Sequence, residues 1–450
     1  MGQFGWALLS GLIGTYLVNF YLPGDADKAA GQPELIAQGR VVFGFLTVIG
    51  LVTALGRLFD AVTDPLVASC SDKCKSPSGR RIPFLRWSAL PLAVCTVLVF
   101  CAPFPDSGKG RFLNAIWLCV FVLAYYLLIT CYCTPYTALY SEITHTDDER
   151  MLASTAISFT FIVGQAVGYL GPVFWGPLVP SLGRIASIRL VFAAFALLAL
   201  ACMYVPVFAI READYVTARP SEAGVVESLG KTFRNRSFRL FVCSDIFYWI
   251  GLTVFQTGIP YFVKELIGLP ELWQSLLLVA MTALSLLFYV PINLVTKKIG
   301  KKSVVLFAFA LFTLTFLFTA FTGLWGSSQG LKVAQGILLI VFGSLPLAIF
   351  GILPQAMVAD CAEYDRRLTG EDRQGMFFAA RTFCFKLGQS IAMLLFTSLA
   401  TVGTGTFGYR LAATVASALC LVGGILAGPS LCGMYDCIFR SLRDAPGSAM

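Results

Sequence analysis

The chain has 450 residues, 57% of them hydrophobic and only 13% charged, with a formal charge of +8. A soluble globular domain carries about 25% charged residues. Here the charges are bunched between long apolar runs, which excludes a soluble fold. The basic residues fall at the ends of those runs, where they set orientation in a bilayer, so the positive charge does not point to nucleic acid.

Runs of about 20 apolar residues, the length of a membrane-crossing helix, predict twelve spans at 5–22, 41–69, 83–103, 113–140, 154–178, 188–210, 240–263, 273–296, 303–324, 333–358, 375–402 and 408–431. The first lacks the basic start and small-residue cleavage site of a secretory leader, so it reads as a span. The second contains GRLFDAVTDPL, which places Arg57, Asp60 and Asp64 within about two turns. Asp60 and Asp64 stand four residues apart and share a helix face. Two carboxylates so close attract a monovalent cation or share a proton, and Thr63 adds a neutral oxygen beside them. Arg57 can alternatively neutralise Asp60 as an internal salt bridge, which leaves the second acid unaccounted for.

The loop that follows, SDKCKSPSGRR, is short and basic. Asp72, Arg80 and Arg81 are placed to form charged hydrogen bonds to helix ends of either half and to act as a cytoplasmic gate. Cys70 and Cys74 have no histidine or second cysteine pair near them, so no metal site is expected beyond that of a coupling cation. The fourth span ends LLITCYCTPYTALYSEIT. Thr130, Tyr132, Cys133 and Thr134 precede Pro135, which frees backbone carbonyls and either opens polar backbone to a cavity or merely kinks the helix. The sole histidine, His145, is expected in a solvated loop. Asp245 of the seventh span lies near a predicted boundary and reads as an interfacial cap or a pathway residue. Lys386 lies well inside the eleventh span, with Arg381 nearer the end as an anchor. Charge at that depth is costly and marks function, so Lys386 is expected to pair with Asp60 or Asp64 or to meet an anionic substrate.

The longest connection, 211–239, separates six spans from six. It divides the chain into an N-terminal half (1–210), a linker (211–239), a C-terminal half (240–435) and a tail (436–450). The loop TKKIGKKS after the eighth span echoes the basic loop after the second, six spans earlier, as expected of two six-helix repeats that rock about a central site. Of the 33 Lys and Arg residues, 21 lie in loops and span ends on the side of the N-terminus and 9 opposite. This bias places both termini in the cytoplasm. No P-loop, G-x-S-x-G, H-E-x-x-H or paired C-x-x-C is present, so neither an enzyme nor an ATP-driven pump is expected. The expectation is an all-α membrane protein, a multi-pass monomer in the cell membrane that moves a small-molecule substrate without a cofactor.

The stretch DAVTDPLVASCSDKCKSPSGRRIPF resembles the glycoside–pentoside–hexuronide:cation symporter family of the major facilitator superfamily, to which melibiose permease belongs. Asp60, Asp64, Pro65, Asp72, Gly79, Arg80, Arg81 and Pro83 match in type and spacing. TPYTAL followed by DDER, ILPQAMVADCAEYDRRLTGEDRQGMFF and FKLGQS are similar to further family stretches, so the resemblance runs over nearly the whole chain. It implies a major facilitator-type bundle and symport of a sugar or glycoside with Na+ or H+. It also implies a cation site of Asp60, Thr63, Asp64 and Thr130, with Lys386 linking it to the substrate site. The residue matching Thr63 is Asn in melibiose permease, which leaves the ion open. The acids that grip galactosides are absent: the first span has none, and Cys133 stands at the second position. The chain also resembles the sodium-dependent lysophosphatidylcholine symporters in its second-span acids and eleventh-span lysine, which implies a lysophospholipid or other amphiphile as the alternative substrate.

Overall fold

A computed structural model describes residues 1–29, 31–143, 147–212, 230, 232–326, 328–369 and 374–443. His145, Gly370, most of the 211–239 connection and the end of the tail lie outside the described residues. Among those described, twelve helices have 18 residues or more. They are α1 (Gly2–Tyr21), α2 (Val48–Asp72), α3 (Ile82–Val99), α4 (Gly108–Ile143), α5 (Asp147–Tyr169), α6 (Arg184–Ala209), α7 (Arg236–Tyr261), α8 (Glu271–Ile299), α9 (Lys301–Phe321), α10 (Gln329–Thr369), α11 (Gln374–Ala400) and α12 (Phe407–Arg443). No strand occurs among the described residues, and Val42 and Leu46 form only an isolated bridge.

Ten of the described helices are long and apolar enough to cross a membrane as they stand. An eleventh span arises if Thr155–Tyr169 and Gly171–Leu182, which meet at 42°, count as one broken helix. With no water in the bilayer core, a chain crossing it must satisfy its backbone internally, which is why helices dominate. The 25-residue α2 falls short of the apolar criterion because Arg57, Asp60 and Asp64 interrupt it. It also starts later than the apolar run suggests. Residues 41–47 turn tightly, and Thr47 caps the helix by accepting from the Gly50 amide at 3.1 Å. Proline does not end the helices: Pro65, Pro135, Pro346 and Pro354 all lie inside them.

Packing divides the described residues into two compact units. One draws on Met1–Glu222 and Gln256–Val279, the other on Ala223–Phe255 and Ala280–Met450. In the first, α1 is the central helix. Its polar groups are satisfied inside the unit, Tyr16 donating to the Tyr169 carbonyl at 2.8 Å and Tyr21 to the Val99 carbonyl at 2.5 Å. The hairpin formed by the end of α7 and the start of α8 joins this unit, with the Tyr261 hydroxyl donating to the Leu22 carbonyl at 2.6 Å. Gly268, at φ 73°, closes that hairpin's tight π-helical turn. In the second unit an aromatic core forms around Phe255, Phe312 and Phe316.

Candidate functional site

In the first unit α2 and α4 run in register at very close range. Gly56 allows this, since a Cβ there would stand 2.5 Å from the Tyr126 ring and 2.9 Å from Val122. One turn further along each helix, Asp60 meets Thr130. The Thr130 hydroxyl lies 2.7 Å from Asp60 Oδ1 and 3.2 Å from Asp64 Oδ1. A hydroxyl has one hydrogen to donate, so Thr130 stands within hydrogen-bond reach of both acids and donates to one of them at a time. Asp60, Thr63 and Thr130 are buried, and Asp64 is half-buried. Three oxygen-bearing side chains from two helices thus converge within a span, where charge is otherwise avoided. Pro65 and Pro135 flank the site and remove the amides that would bond to the carbonyls of Ala61 and Cys131.

Thr63 stands beside this group, but its hydroxyl donates to the Asp60 backbone carbonyl at 3.2 Å. Arg57 lies close enough to Asp60 to be attracted by it, but its main contact is aromatic. Its guanidinium lies over the Tyr126 ring, 5.1 Å from the centroid, and its Nε has no hydrogen-bond partner. Cys133 and Thr134 lie three and four residues after Thr130, on the same face of α4. Tyr132 does not. It is fully buried on the opposite side, donates to the Met203 carbonyl at 2.8 Å and stacks near Tyr136. A residue two positions on from Thr130 faces away from it on a helix, so Tyr132 is a packing residue between α4 and α6.

The second unit holds Lys386, buried in α11, with its carbonyl accepting from Ser390 at 3.0 Å. Beside it Phe385 stacks on Trp249 at 4.4 Å. Asp245 is neither an interfacial cap nor a lone pathway acid, and Arg381 is not a surface anchor. They form a two-pronged pair inside the unit, with Arg381 Nε 2.9 Å from Asp245 Oδ2 and a terminal nitrogen 3.2 Å from Oδ1. Their side chains are only 2% and 4% exposed.

The loop between α2 and α3 is latched within the first unit. Arg81 meets Asp72 at 2.5 Å and also bonds Ser71. The main partner was not foreseen. Glu212, buried just past α6, accepts from the amides of Arg80, Arg81 and Ile82 at 2.7, 2.8 and 3.0 Å. A carboxylate at a helix N-terminus satisfies amides that have no partner within the helix. Its only sequence trace is an acid just past the sixth span. At the far end of the same unit, buried Asp27 binds Arg184 at 2.6 Å, Lys264 and Asn19, and Arg184 also holds Glu271 at 2.9 Å. These residues read in sequence as ordinary loop charges. Among the described residues no cluster of three or more His, Cys, Asp and Glu suits a metal ion.

Residues 42–428 match the family described as "MFS/sugar transport protein". An uncharacterized symporter of Synechocystis is 24% identical, over 88% of this chain and 82% of that protein. The isoprimeverose transporter of Lactiplantibacillus pentosus is 23% identical, over 87% of this chain and 76% of its own length. Among solved structures, a bacterial homolog of the human lysosomal transporter Spinster, inward-facing and unoccupied, superposes with a TM-score of 0.64 at 13% identity. That match covers 100% of this chain and 96% of the other, and at such identity it speaks for the fold alone.

Proposed function

The chain belongs to the MFS/sugar transport protein family, and from that membership we propose that it is a symporter that moves a sugar or glycoside together with Na+ or H+. It is a membrane transporter, not an enzyme. The observation that carries the coupling is the Thr130 hydroxyl shared between Asp60 and Asp64 inside the bundle. A pair of carboxylates with a neutral oxygen between them suits one monovalent cation, or one shared proton, and both ions fit this chemistry. Thr63 adjoins the site. Cys133 and Thr134, on the Thr130 face, are the α4 residues we assign to substrate. Lys386 is assigned to coupling because it is a buried charge in a span. The relatives matched over most of the chain include a sugar transporter and a symporter by name, which supports a sugar over a lysophospholipid. We further propose that both termini are cytoplasmic, that the protein sits in the cell membrane as a monomer, and that Asp72, Arg80 and Arg81 form the cytoplasmic gate.

The test is uptake of a panel of radiolabelled mono- and disaccharides into proteoliposomes, with a Na+ gradient, a pH gradient or neither. Asp60→Asn and Asp64→Asn are expected to abolish gradient-driven accumulation while leaving the amount of inserted, monodisperse protein unchanged. Lys386→Ala is expected to let sugar exchange without a cation gradient. Accumulation that survives in both aspartate variants removes the cation-site assignment. Absence of any gradient-dependent sugar uptake by the unmodified protein removes the functional reading itself.

A further inference from the structure

At the end of the first unit where α3 begins and α6 finishes, the protein has a cleft of about 390 Å³. That volume lies within the roughly 300–1,000 Å³ typical of small-ligand sites. Its lining is chemically mixed. It includes the polar residues Ser76, Ser78, Arg86, Arg211 and Glu212 and, among apolar ones, Trp87 and Phe208. Trp87 is 78% exposed and Phe208 77% exposed. Trp87 stands five residues, about 7.5 Å, from the start of α3 and Phe208 one residue from the end of α6, depths at which a spanning helix meets lipid headgroups. Tryptophan favours that depth because its ring is apolar and its N–H is not.

The charges in the cleft do not cancel. Glu212 is the one acid in its lining, and both its oxygens are taken by the amides of Arg80, Arg81 and Ile82. The Arg81 guanidinium is turned away to Asp72 and Ser71. Arg86 and Arg211 are exposed, and neither guanidinium is ion-paired among the described residues. The backbone at Arg86 is pinned, since its carbonyl accepts from Tyr204 of α6 at 3.2 Å. Two free arginines against one carboxylate leave a net positive charge in a cleft that opens beside exposed aromatics. A zwitterionic headgroup cannot balance that charge, and a ligand without an apolar part leaves Trp87 and Phe208 uncovered.

We propose that this cleft binds the headgroup of an anionic phospholipid, with Arg86 and Arg211 holding the phosphate and the acyl chains lying along Trp87 and Phe208. Arginine suits the role because its planar fork can donate two hydrogen bonds to one phosphate. Basic pockets between spanning helices recognise lipid headgroups by the same means. Through the Glu212 latch, the bound lipid would touch the loop between α2 and α3, so membrane composition would bear on the stability of that loop.

The experiment is native mass spectrometry of the full-length, delipidated protein in detergent. It is titrated separately with phosphatidylglycerol, phosphatidylcholine and inorganic phosphate. The unmodified protein is expected to retain phosphatidylglycerol at concentrations roughly tenfold below those needed for phosphatidylcholine. The variant carrying Arg86→Gln and Arg211→Gln is expected to lose that preference, whereas Lys109→Gln, an exposed cation at the other end of the unit, keeps it. Unchanged preference in the double variant overturns the proposal, as does equal retention of the two lipids by the unmodified protein. Displacement of phosphatidylglycerol by inorganic phosphate at equal concentration also overturns it, because the site would then be one for free phosphate. Should the double variant not remain monodisperse, a photoactivatable phosphatidylglycerol on the unmodified protein decides the matter. Crosslinks at the peptides holding Trp87 and Phe208 support the proposal, and crosslinks confined to other helices refute it.

Discussion

Replacing Asp245 by leucine would leave the Arg381 guanidinium buried without a counter-charge, because the pair is 2% and 4% exposed and joined by two bonds at 2.9 and 3.2 Å. Breaking such a pair from one side costs about 3–5 kcal/mol. A lone arginine at the centre of a spanning helix costs about 2.5–3.5 kcal/mol on insertion scales, so both routes lead to about 3 kcal/mol, or two orders of magnitude in an unfolding equilibrium. Arg381→Leu should cost a similar amount through the stranded carboxylate. Replacing both by leucine removes both charges and their desolvation together. The double variant should then return to within about 1 kcal/mol of the unmodified protein, since well-packed apolar replacements of buried pairs are often neutral or better. The assay is a double-mutant cycle on purified protein in detergent, followed by mild-to-denaturing detergent titration with tryptophan fluorescence. The expected coupling between the two sites is about 3 kcal/mol or more in favour of the pair. Strict additivity, with the double variant as weak as the two losses combined, would refute the view that these charges need one another. Near-neutral single variants would refute the burial on which the magnitude rests.

Two further predictions concern the ends of the first unit. Glu212→Gln should loosen the start of α3 by about 1–3 kcal/mol, the range for losing hydrogen bonds to a charged acceptor. Gly79→Ala should act in the same direction, since Gly79 sits at φ 104° and a Cβ would fall on the Glu212 side chain. Both would show as faster tryptic cleavage at Arg80 and Arg81 of the purified protein in detergent, and unchanged cleavage rates would remove Glu212 as the latch. At the opposite end, Asp27→Asn leaves Lys264 facing a neutral side chain and Arg184 with Glu271 alone, and should lower stability by about 3 kcal/mol. Lys28→Ala, which breaks only the solvent-exposed pair with Glu34, should cost less than about 1 kcal/mol. Equal thermal midpoints for these two variants would contradict the burial of Asp27.

The membrane class, the helical content and the placement of nearly every span were legible in the sequence, because lipid imposes one rule on every crossing segment: about 20 apolar residues with internal hydrogen bonds. The acid pair was legible for a similar reason. Asp60 and Asp64 stand out against hydrocarbon, and their spacing alone puts them on one face of α2. What the sequence could not decide was which partner each charge meets. Arg57, three residues from Asp60, also lies over the Tyr126 ring, and Thr130 of α4 comes within hydrogen-bond reach of both acids, contacts that local spacing does not show. Asp245 and Arg381 are 136 positions apart, and no local pattern links them. Tyr132 reads as well as Thr130 within a polar cluster, but the rotation of α4 turns one into the core and the other onto α2. Glu212 and Asp27 are acids in connecting segments, indistinguishable in sequence from solvated ones until packing buries them. Span identity follows from the solvent and is written locally in composition. Ion-pair choice follows from helix rotation and close approach, set by contacts such as that of Gly56 against Tyr126, and those exist only once the helices have packed.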